Sequence, residues 1–260
     1  MHEKRTMHRT SFVLKTLPFL IAVAIICGCV AAVPAGGPPQ THERECVILV
    51  HGMMRSASSM KGVDEFLRSR GYETVNLEYP TTRDSIERIA ELYIAPAVAQ
   101  CRERRCEKIH FVTHSMGGLV VRRYLEGHAA EIPQGSRVVM LAPPNGGTEV
   151  ADFFKDSSLY QSITGPAGQE LGTSPESLPV DIKPVNLEVG VIAGNFSLNP
   201  FFSLIIPGDD DGTVSVERTK MEGMADFLVV PRSHFFIMRD EAVMAQAVFF
   251  LEHGKFAHPD

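Results

Sequence analysis

Short apolar runs, separated by segments long enough for helices, most constrain what this chain can form. A run of four or five apolar residues suits a strand that is buried on both faces, and it is too short for a helix. Residues 47–50 are such a run, and residues 137–141 follow the same pattern. Alternation of strands with helices favours a mostly parallel sheet with helices on both faces, which is an α/β fold.

The same patterns place the other elements. Glycines at positions 71, 127 and 254 follow helical segments and predict where those helices end. Residues 143–184 are rich in Pro, Gly and Ser and hold no long periodic segment, so we expect a cap loop over the edge where the strands end. The predicted strands cover residues 47–50, 72–77, 109–113, 137–141, 185–193 and 226–230, and the predicted helices about residues 58–69, 84–100, 116–126 and 240–252.

The N-terminal segment is predicted to lie outside the folded domain. Residues 1–16 are basic, and the stretch that follows to Val33 is almost wholly apolar, as in a secretory signal. We therefore predict a signal or membrane anchor over residues 1–33 and a flexible tether over residues 34–44, which contain three prolines. One α/β domain would follow over residues 45–256.

The end of the apolar stretch resembles a bacterial lipoprotein cleavage box, with Cys29 as the lipidated residue. Cleavage after an alanine and retention as an uncleaved anchor are the alternatives, because the stretch is close to the ~17 residues that a bilayer span needs. In each case the protein is expected to be exported, as a periplasmic or membrane-anchored protein.

The charge of the chain limits which classes of partner we expect it to bind. The formal net charge is −6, and no strong basic cluster lies in the predicted domain, so we expect no nucleic-acid partner.

Of the five cysteines, Cys101 and Cys106 are candidates for a disulfide if a helix ends between them, and free thiols are the alternative. No metal site is expected, because no His or Cys pair lies near them at ligand spacing.

Ser115 is the strongest candidate for a functional residue. It follows the predicted strand 109–113, precedes a helix, and lies in the sequence THSMGG over residues 113–118. A nucleophilic serine at such a sharp turn needs small neighbours two residues away. Gly117 meets this need, whereas Thr113 stands where glycine is expected. The alternative is an ordinary helix N-cap serine.

A serine nucleophile needs a base and a carboxylate that orients the base. His234 follows the last predicted strand, and a surface loop histidine is its alternative. Asp211 belongs to three consecutive aspartates, for which a solvated loop or a calcium site is the alternative. We select Asp211 because Gly212 allows the loop to turn directly after it, and the order Ser, Asp, His is that of α/β folds with such a serine.

The negative oxygen of a tetrahedral intermediate needs two hydrogen-bond donors. The backbone N–H of Met116, directly after Ser115, is one candidate. The backbone N–H of Met53, in the loop after the first buried strand, is the other; a plain strand-ending turn is the alternative for this loop.

These motifs resemble those of bacterial esterases and lipases of the α/β-hydrolase superfamily, in the group related to triacylglycerol lipases and GPI inositol-deacylases. The resemblance covers about residues 46–256. It rests on the sequences VHGM at residues 50–53, THSMGG at 113–118 and DGTVS at 211–215, with APPN at 142–145 and GPAG at 165–168 as further marks.

The resemblance implies an α/β-hydrolase fold with Ser115 as nucleophile, Asp211 as acid, His234 as base, and Met53 and Met116 as oxyanion donors. It implies a carboxylic-ester hydrolase that acts on a small-molecule or lipid ester without a cofactor. An acyltransferase with the same three residues is one alternative, and a non-catalytic, membrane-tethered binding module of the same fold is another. Phenylalanines and a leucine in and near the cap are candidates to bind an acyl chain: Phe153, Phe154, Leu159, Phe201 and Phe202.

Overall fold

A computed structural model describes residue 42 and residues 44–258 of the chain. The predicted signal, Cys29 and nearly all of the tether lie outside the described residues and stay predictions. Within the described part, no helix is both long enough and apolar enough to span a bilayer.

One sheet of six parallel strands forms the centre of the described part. The strands are β1 (Glu45–Val50), β2 (Glu73–Asn76), β3 (Lys108–His114), β4 (Arg137–Leu141), β5 (Glu188–Gly194) and β6 (Asp226–Val230). Their order is β2-β1-β3-β4-β5-β6, so β1 lies inside the sheet, β2 is added at one edge, and the later strands build towards the other edge. The predicted α/β class and parallel sheet are confirmed.

Helices connect and cover these strands. Short 3₁₀ turns at Ala57–Met60, Ala129–Glu131 and Ile237–Arg239 complete the connections, and a π-helical segment, Ala90–Ile94, joins two of the α-helices. The α-helices are α1 (Lys61–Ser69), α2 (Ile86–Ile89), α3 (Ala95–Glu103), α4 (Met116–His128), α5 (Glu149–Phe154), α6 (Ser158–Gln169), α7 (Leu178–Asp181), α8 (Pro200–Ser203), α9 (Val216–Thr219) and α10 (Glu241–His253).

Alternation along the strands divides the core into two layers. Ile48 and Val50 of β1 face one layer, where α2, α3 and α4 pack, and Val47 and Leu49 face the other, where α1 and α10 pack. All four side chains are fully buried. A strand with both faces buried explains why its sequence is a continuous apolar run rather than an alternating one.

The segment 143–184 differs from the predicted cap loop, because it contains the helices α5, α6 and α7. These helices are short, and α6 is interrupted at Gly165, which has φ 63° and ψ −163°. Arg122 of α4 ties the segment to the core: its guanidinium donates to the carbonyl oxygens of Asn145, Pro179 and Ile182. The segment is therefore a helical cap that hydrogen bonds from α4 hold to the core.

The disulfide prediction is wrong in its pairing. Cys46 of β1 bonds to Cys101 of α3, with their Cα atoms 6.2 Å apart, and Cys106 is a buried free thiol. Helix α3 runs on to Glu103, so Cys101 stays on the helix and faces the sheet. The predicted export stays a prediction.

Candidate active site

Ser115 occupies the turn between β3 and α4 in a strained backbone conformation. Its φ is 53° and its ψ is −129°, a combination that costs about 1–3 kcal/mol for a residue with a side chain. An ordinary N-cap serine is extended and its side chain accepts from the helix, whereas the Ser115 side chain makes no capping bond. The N-cap alternative therefore does not describe this residue.

Close approach to β1 explains the small residue after Ser115. A Cβ on Gly117 would lie 2.4 Å from the carbonyl oxygen of Val50 and 2.7 Å from that of His51, so only glycine fits. Thr113, two residues before the turn, is fully buried, and its Oγ1 has no hydrogen-bond partner among the described residues. The departure from glycine at this position leaves the turn intact.

Ser115, His234 and Asp211 form one chain of hydrogen bonds. The Oγ of Ser115 lies 2.9 Å from Nε2 of His234, and Nδ1 of His234 lies 2.7 Å from Oδ2 of Asp211. The backbone N–H of His234 also donates to the carbonyl oxygen of Asp211 at 2.9 Å. His234 and Asp211 are buried, so the structure brings the three predicted side chains together away from bulk water.

The three consecutive aspartates have different environments. Asp209 is exposed, whereas Oδ1 of Asp210 accepts from the N–H of Gly212 at 2.7 Å and from Oγ of Ser203 at 2.9 Å. Gly212 has φ 94°, which permits the turn predicted at this position. No group of His, Cys, Asp and Glu among the described residues is arranged to hold a metal ion.

The loop after β1 lies directly against Ser115. A Cβ on Gly52 would be 2.9 Å from Cβ of Ser115, and the next residue, Met53, lines the same cavity as Ser115. Met116 is the first residue of α4. In the described part of the chain, the backbone N–H groups of Met53 and Met116 donate no hydrogen bond to protein, so both are free to donate to a ligand.

Two residues that sequence reasoning missed hold this loop in place. Tyr79 is buried, its hydroxyl donates to the carbonyl oxygen of His51, and the rings of Tyr79 and His51 stack with centroids 4.1 Å apart. Thr81 accepts from the N–H of Met54 at 3.0 Å. Both lie in an irregular segment between β2 and α2, where no periodic pattern could single them out.

His114 was also missed, because the sequence gives the residue before Ser115 no role of its own. Its Nε2 donates to the carbonyl oxygen of His234 at 2.9 Å, and its ring lies 5.0 Å from the ring of His234. Burial, with repulsion from His234, lowers the pKa of His114 well below its ordinary value, so His114 is neutral at neutral pH. The hydrogen bond from His114 therefore helps to hold the backbone of His234 in position.

A cavity of about 670 Å³ opens above Ser115 and His234. Of the predicted acyl-binding residues, Phe154, Leu159 and Phe202 line it, whereas Phe153 and Phe201 are 57% and 53% exposed and pack against each other outside it. Further apolar side chains come from the cap and the loop after β1: Met53, Met54, Val150, Tyr160, Ile163 and Leu171. The cavity can therefore take an apolar chain that ends at Ser115.

A parallel sheet with a strained serine between β3 and α4, and a histidine and an aspartate from later loops, defines an α/β hydrolase. Residues 47–176, half of the 260-residue chain, match the model of the alpha/beta hydrolase family. The chain belongs to this family. No curated protein matches its sequence.

Several solved structures have the same fold. The mature lipase BlEst2 of Bacillus licheniformis has a TM-score of 0.69 and is 17% identical, over 82% of this chain and 94% of its own. The metagenomic carboxyl esterase MGS0156 has a TM-score of 0.64 and is 20% identical, over 84% and 80%. Lipase B of Aspergillus fumigatus has a TM-score of 0.60 and is 16% identical, over 85% of this chain and 56% of its own. At these identities the likeness establishes a shared fold.

Proposed function

We propose that this α/β hydrolase cleaves carboxylic esters through an acyl-enzyme on Ser115. The observation that carries the proposal is the continuous path from Oγ of Ser115 through both ring nitrogens of His234 to Oδ2 of Asp211. Such a path removes the proton that makes a serine hydroxyl a poor nucleophile.

In the first half-reaction, Oγ of Ser115 bonds to the ester carbonyl carbon while its proton passes to Nε2 of His234. The C=O electron pair moves onto the oxygen, and the N–H groups of Met53 and Met116 stabilise this charge, at roughly 3–4 kcal/mol per donor. The intermediate collapses when His234 gives the proton to the alcohol oxygen. The alcohol leaves, and the acyl group stays on Ser115.

In the second half-reaction, water attacks the acyl-enzyme and His234 accepts its proton. The tetrahedral intermediate then releases the acid, and Oγ of Ser115 takes the proton back. Asp211 stays ionised throughout and holds Nδ1–H of His234 in the tautomer that leaves Nε2 free to accept.

The cavity supports an ester with an apolar acyl chain. Its apolar lining from α5, α6 and α8 leads to Ser115, and its volume of about 670 Å³ is within the usual range for small-molecule sites. The lipases and the carboxyl esterase that share the fold are named for the same kind of chemistry.

The direct test is Ser115→Ala, with Ser69→Ala as the matched control on the exposed end of α1. A fluorophosphonate probe should label the wild type and Ser69→Ala but not Ser115→Ala. Hydrolysis of p-nitrophenyl butanoate should fall at least about 10³-fold in Ser115→Ala alone, because the covalent route is lost.

Unchanged hydrolysis by folded Ser115→Ala would rule out this serine. A labelled wild type that transfers the acyl group to an added alcohol in preference to water would be an acyltransferase. A wild type that is neither labelled nor active would be a binding module.

A further inference from the structure

Two arginines stack on the two phenylalanines that directly follow His234 in the chain. The guanidinium of Arg55, in the loop after β1, stacks over the ring of Phe235, with 4.9 Å between its Cζ and the ring centroid. The guanidinium of Arg239 stacks over Phe236, with a distance of 5.4 Å. Arg55 and Phe235 both line the cavity, so one positive charge faces the site directly.

Neither charge is neutralised within the described part of the chain. Arg55 and Arg239 form no ion pair and no side-chain hydrogen bond with described residues. Asp240 follows Arg239 directly, but it accepts from Arg232 at 2.5 Å and caps α10 with its other oxygen. This acidic side chain is therefore already used.

The two guanidinium groups also repel each other. Partial burial, followed by repulsion from Arg239, lowers the pKa of Arg55, and no carboxylate contributes in the opposite direction. Like charges without a counter-charge raise the free energy of the protein, and an anion bound beside them would lower it.

The position relative to His234 indicates which part of a substrate would carry that anion. Phe235 follows His234 directly, and in the proposed mechanism His234 protonates the departing alcohol. The apolar cap residues offer a separate place for the acyl chain. The charge would therefore lie on the alcohol part of the ester.

We propose that Arg55 and Arg239 bind a negatively charged group, a carboxylate or a phosphate, on the alcohol part of the ester. Guanidinium groups suit both anions, because their N–H donors match two oxygens at once. The proposal rests on the proposed function and narrows it: the favoured substrates are anionic esters with an apolar acyl chain.

The test compares two soluble butanoate esters of similar size, 4-(butanoyloxy)benzoate, which is anionic, and 4-(butanoyloxy)benzamide, which is neutral. The wild type should prefer the anionic ester in kcat/KM. In Arg55→Gln/Arg239→Gln the ratio of anionic to neutral kcat/KM should fall about tenfold, the scale of a charge-assisted hydrogen bond. Arg55→Lys, which keeps the positive charge, should retain more of the wild-type ratio than the double glutamine variant does.

Arg70→Gln is the matched control. Arg70 also stacks over a ring, that of Phe66, with a distance of 4.4 Å, but it lies at the end of α1 outside the cavity. This variant should keep the wild-type ratio. Salt should reduce the preference of the wild type for the anionic ester, because salt weakens the attraction between exposed charges, with a Debye length of about 10 Å at 0.1 M.

An unchanged ratio in the double glutamine variant would overturn the proposal, as would a wild type that prefers the neutral ester. If that variant does not fold, a wild-type ratio that is insensitive to salt would overturn it instead. Failure of the proposed function itself looks different, because the wild type would then hydrolyse neither ester and escape the fluorophosphonate probe.

An anionic lipid surface is another source of the same chemistry. Sedimentation with phosphatidylglycerol vesicles, against phosphatidylcholine vesicles, separates it from a substrate group. If the glutamine variants lose vesicle binding but keep the wild-type ratio on the soluble esters, the arginines hold a membrane surface and the proposal is wrong.

Discussion

Asp211 uses both of its carboxylate oxygens. Oδ2 faces Nδ1 of His234, and Oδ1 accepts from the backbone N–H groups of Thr213 and Val214 at 3.0 and 2.8 Å. These bonds fix the rotation of the carboxylate, so an amide at this position would keep its oxygen towards the backbone and turn its NH₂ towards His234. The histidine would then be held in the wrong tautomer.

We therefore expect Asp211→Asn to reduce kcat about 10⁴-fold, as a change of tautomer does in other serine triads. Asp209→Asn should leave kcat within about twofold, because Asp209 is exposed and outside the hydrogen-bond chain. Steady-state kinetics on p-nitrophenyl butanoate measure both. Similar losses of kcat in the two variants would show that the carboxylate role has been assigned to the wrong aspartate.

At the scale of single residues, local sequence context predicted the residues that the hydrogen-bond chain joins. Ser115 was recognisable from its strand, turn and helix, and Asp211 and His234 from their order behind it. His114, Tyr79 and Arg55 were not, because their roles depend on contacts through space: a backbone oxygen of His234, a backbone oxygen of His51 and a ring at the cavity mouth.

The cap depends on one interrupted helix. Gly165 breaks α6 where it meets the segment between β2 and α2, and a Cβ there would lie 1.8 Å from the carbonyl oxygen of Thr82. Nearby, Oε2 of Glu170 accepts from the N–H of Ile86 at 2.7 Å. The same segment holds the loop after β1 through Thr81, so the cap and this loop share one support.

Gly165→Ala should therefore lower the free energy of unfolding by about 1–3 kcal/mol and reduce kcat/KM more for octanoate than for acetate esters, because the cap must shift. Gly127→Ala in α4 is the control: a Cβ there meets no atom within 4 Å, and alanine favours helix by up to about 1 kcal/mol. Urea unfolding should move the two variants in opposite directions. Wild-type stability in Gly165→Ala would show that the cap tolerates the added methyl.

At the scale of elements, the strands could be predicted because burial on both faces leaves a continuous apolar run. The cap helices could not. Helical periodicity needs a window of about 11 residues, whereas α5 has 6 residues and α6 is broken at Gly165. The Gly and Pro residues that mark the break were the same residues that indicated a loop.

Three buried histidines link the stability of the whole domain to pH. Burial is the main cause that lowers the pKa of His51, His110 and His114. Above the unfolded pKa of about 6.5, neither state binds the protons. Below it, the unfolded chain binds protons that the folded protein excludes, so stability is lost as the pH falls.

Urea unfolding should therefore give a free energy of unfolding that decreases between about pH 7 and pH 5. His110→Gln should flatten this dependence by up to about 1.4 kcal/mol per pH unit, the value for one proton. His128→Gln should instead make the free energy of unfolding depend more steeply on pH. The hydrogen bond that His128 donates to the Glu131 carboxylate raises the pKa of His128, so the stabilisation from this pair is present at low pH and lost as the pH rises. A flat profile in the wild type would contradict this linkage.

At the scale of the whole molecule, the disulfide shows where pattern alone fails. Cys101 and Cys106 are neighbours in sequence, and Cys106 does donate its N–H to the carbonyl oxygen of Cys101 at 3.1 Å. The sulfur partner is instead 55 residues away, because the sheet order places β1 beside the layer that holds α3. Only the assembled topology selects that pair.

This bond also has a mechanical consequence. Cys46 is the second residue of β1, so a pull on the chain upstream of the domain arrives almost at the sulfur bridge. Tension is divided there between the backbone of a central strand and helix α3 on the next layer. Peeling β1 from its neighbours would require α3 to move with it, so the bond strengthens the first strand of the domain against a pulling force.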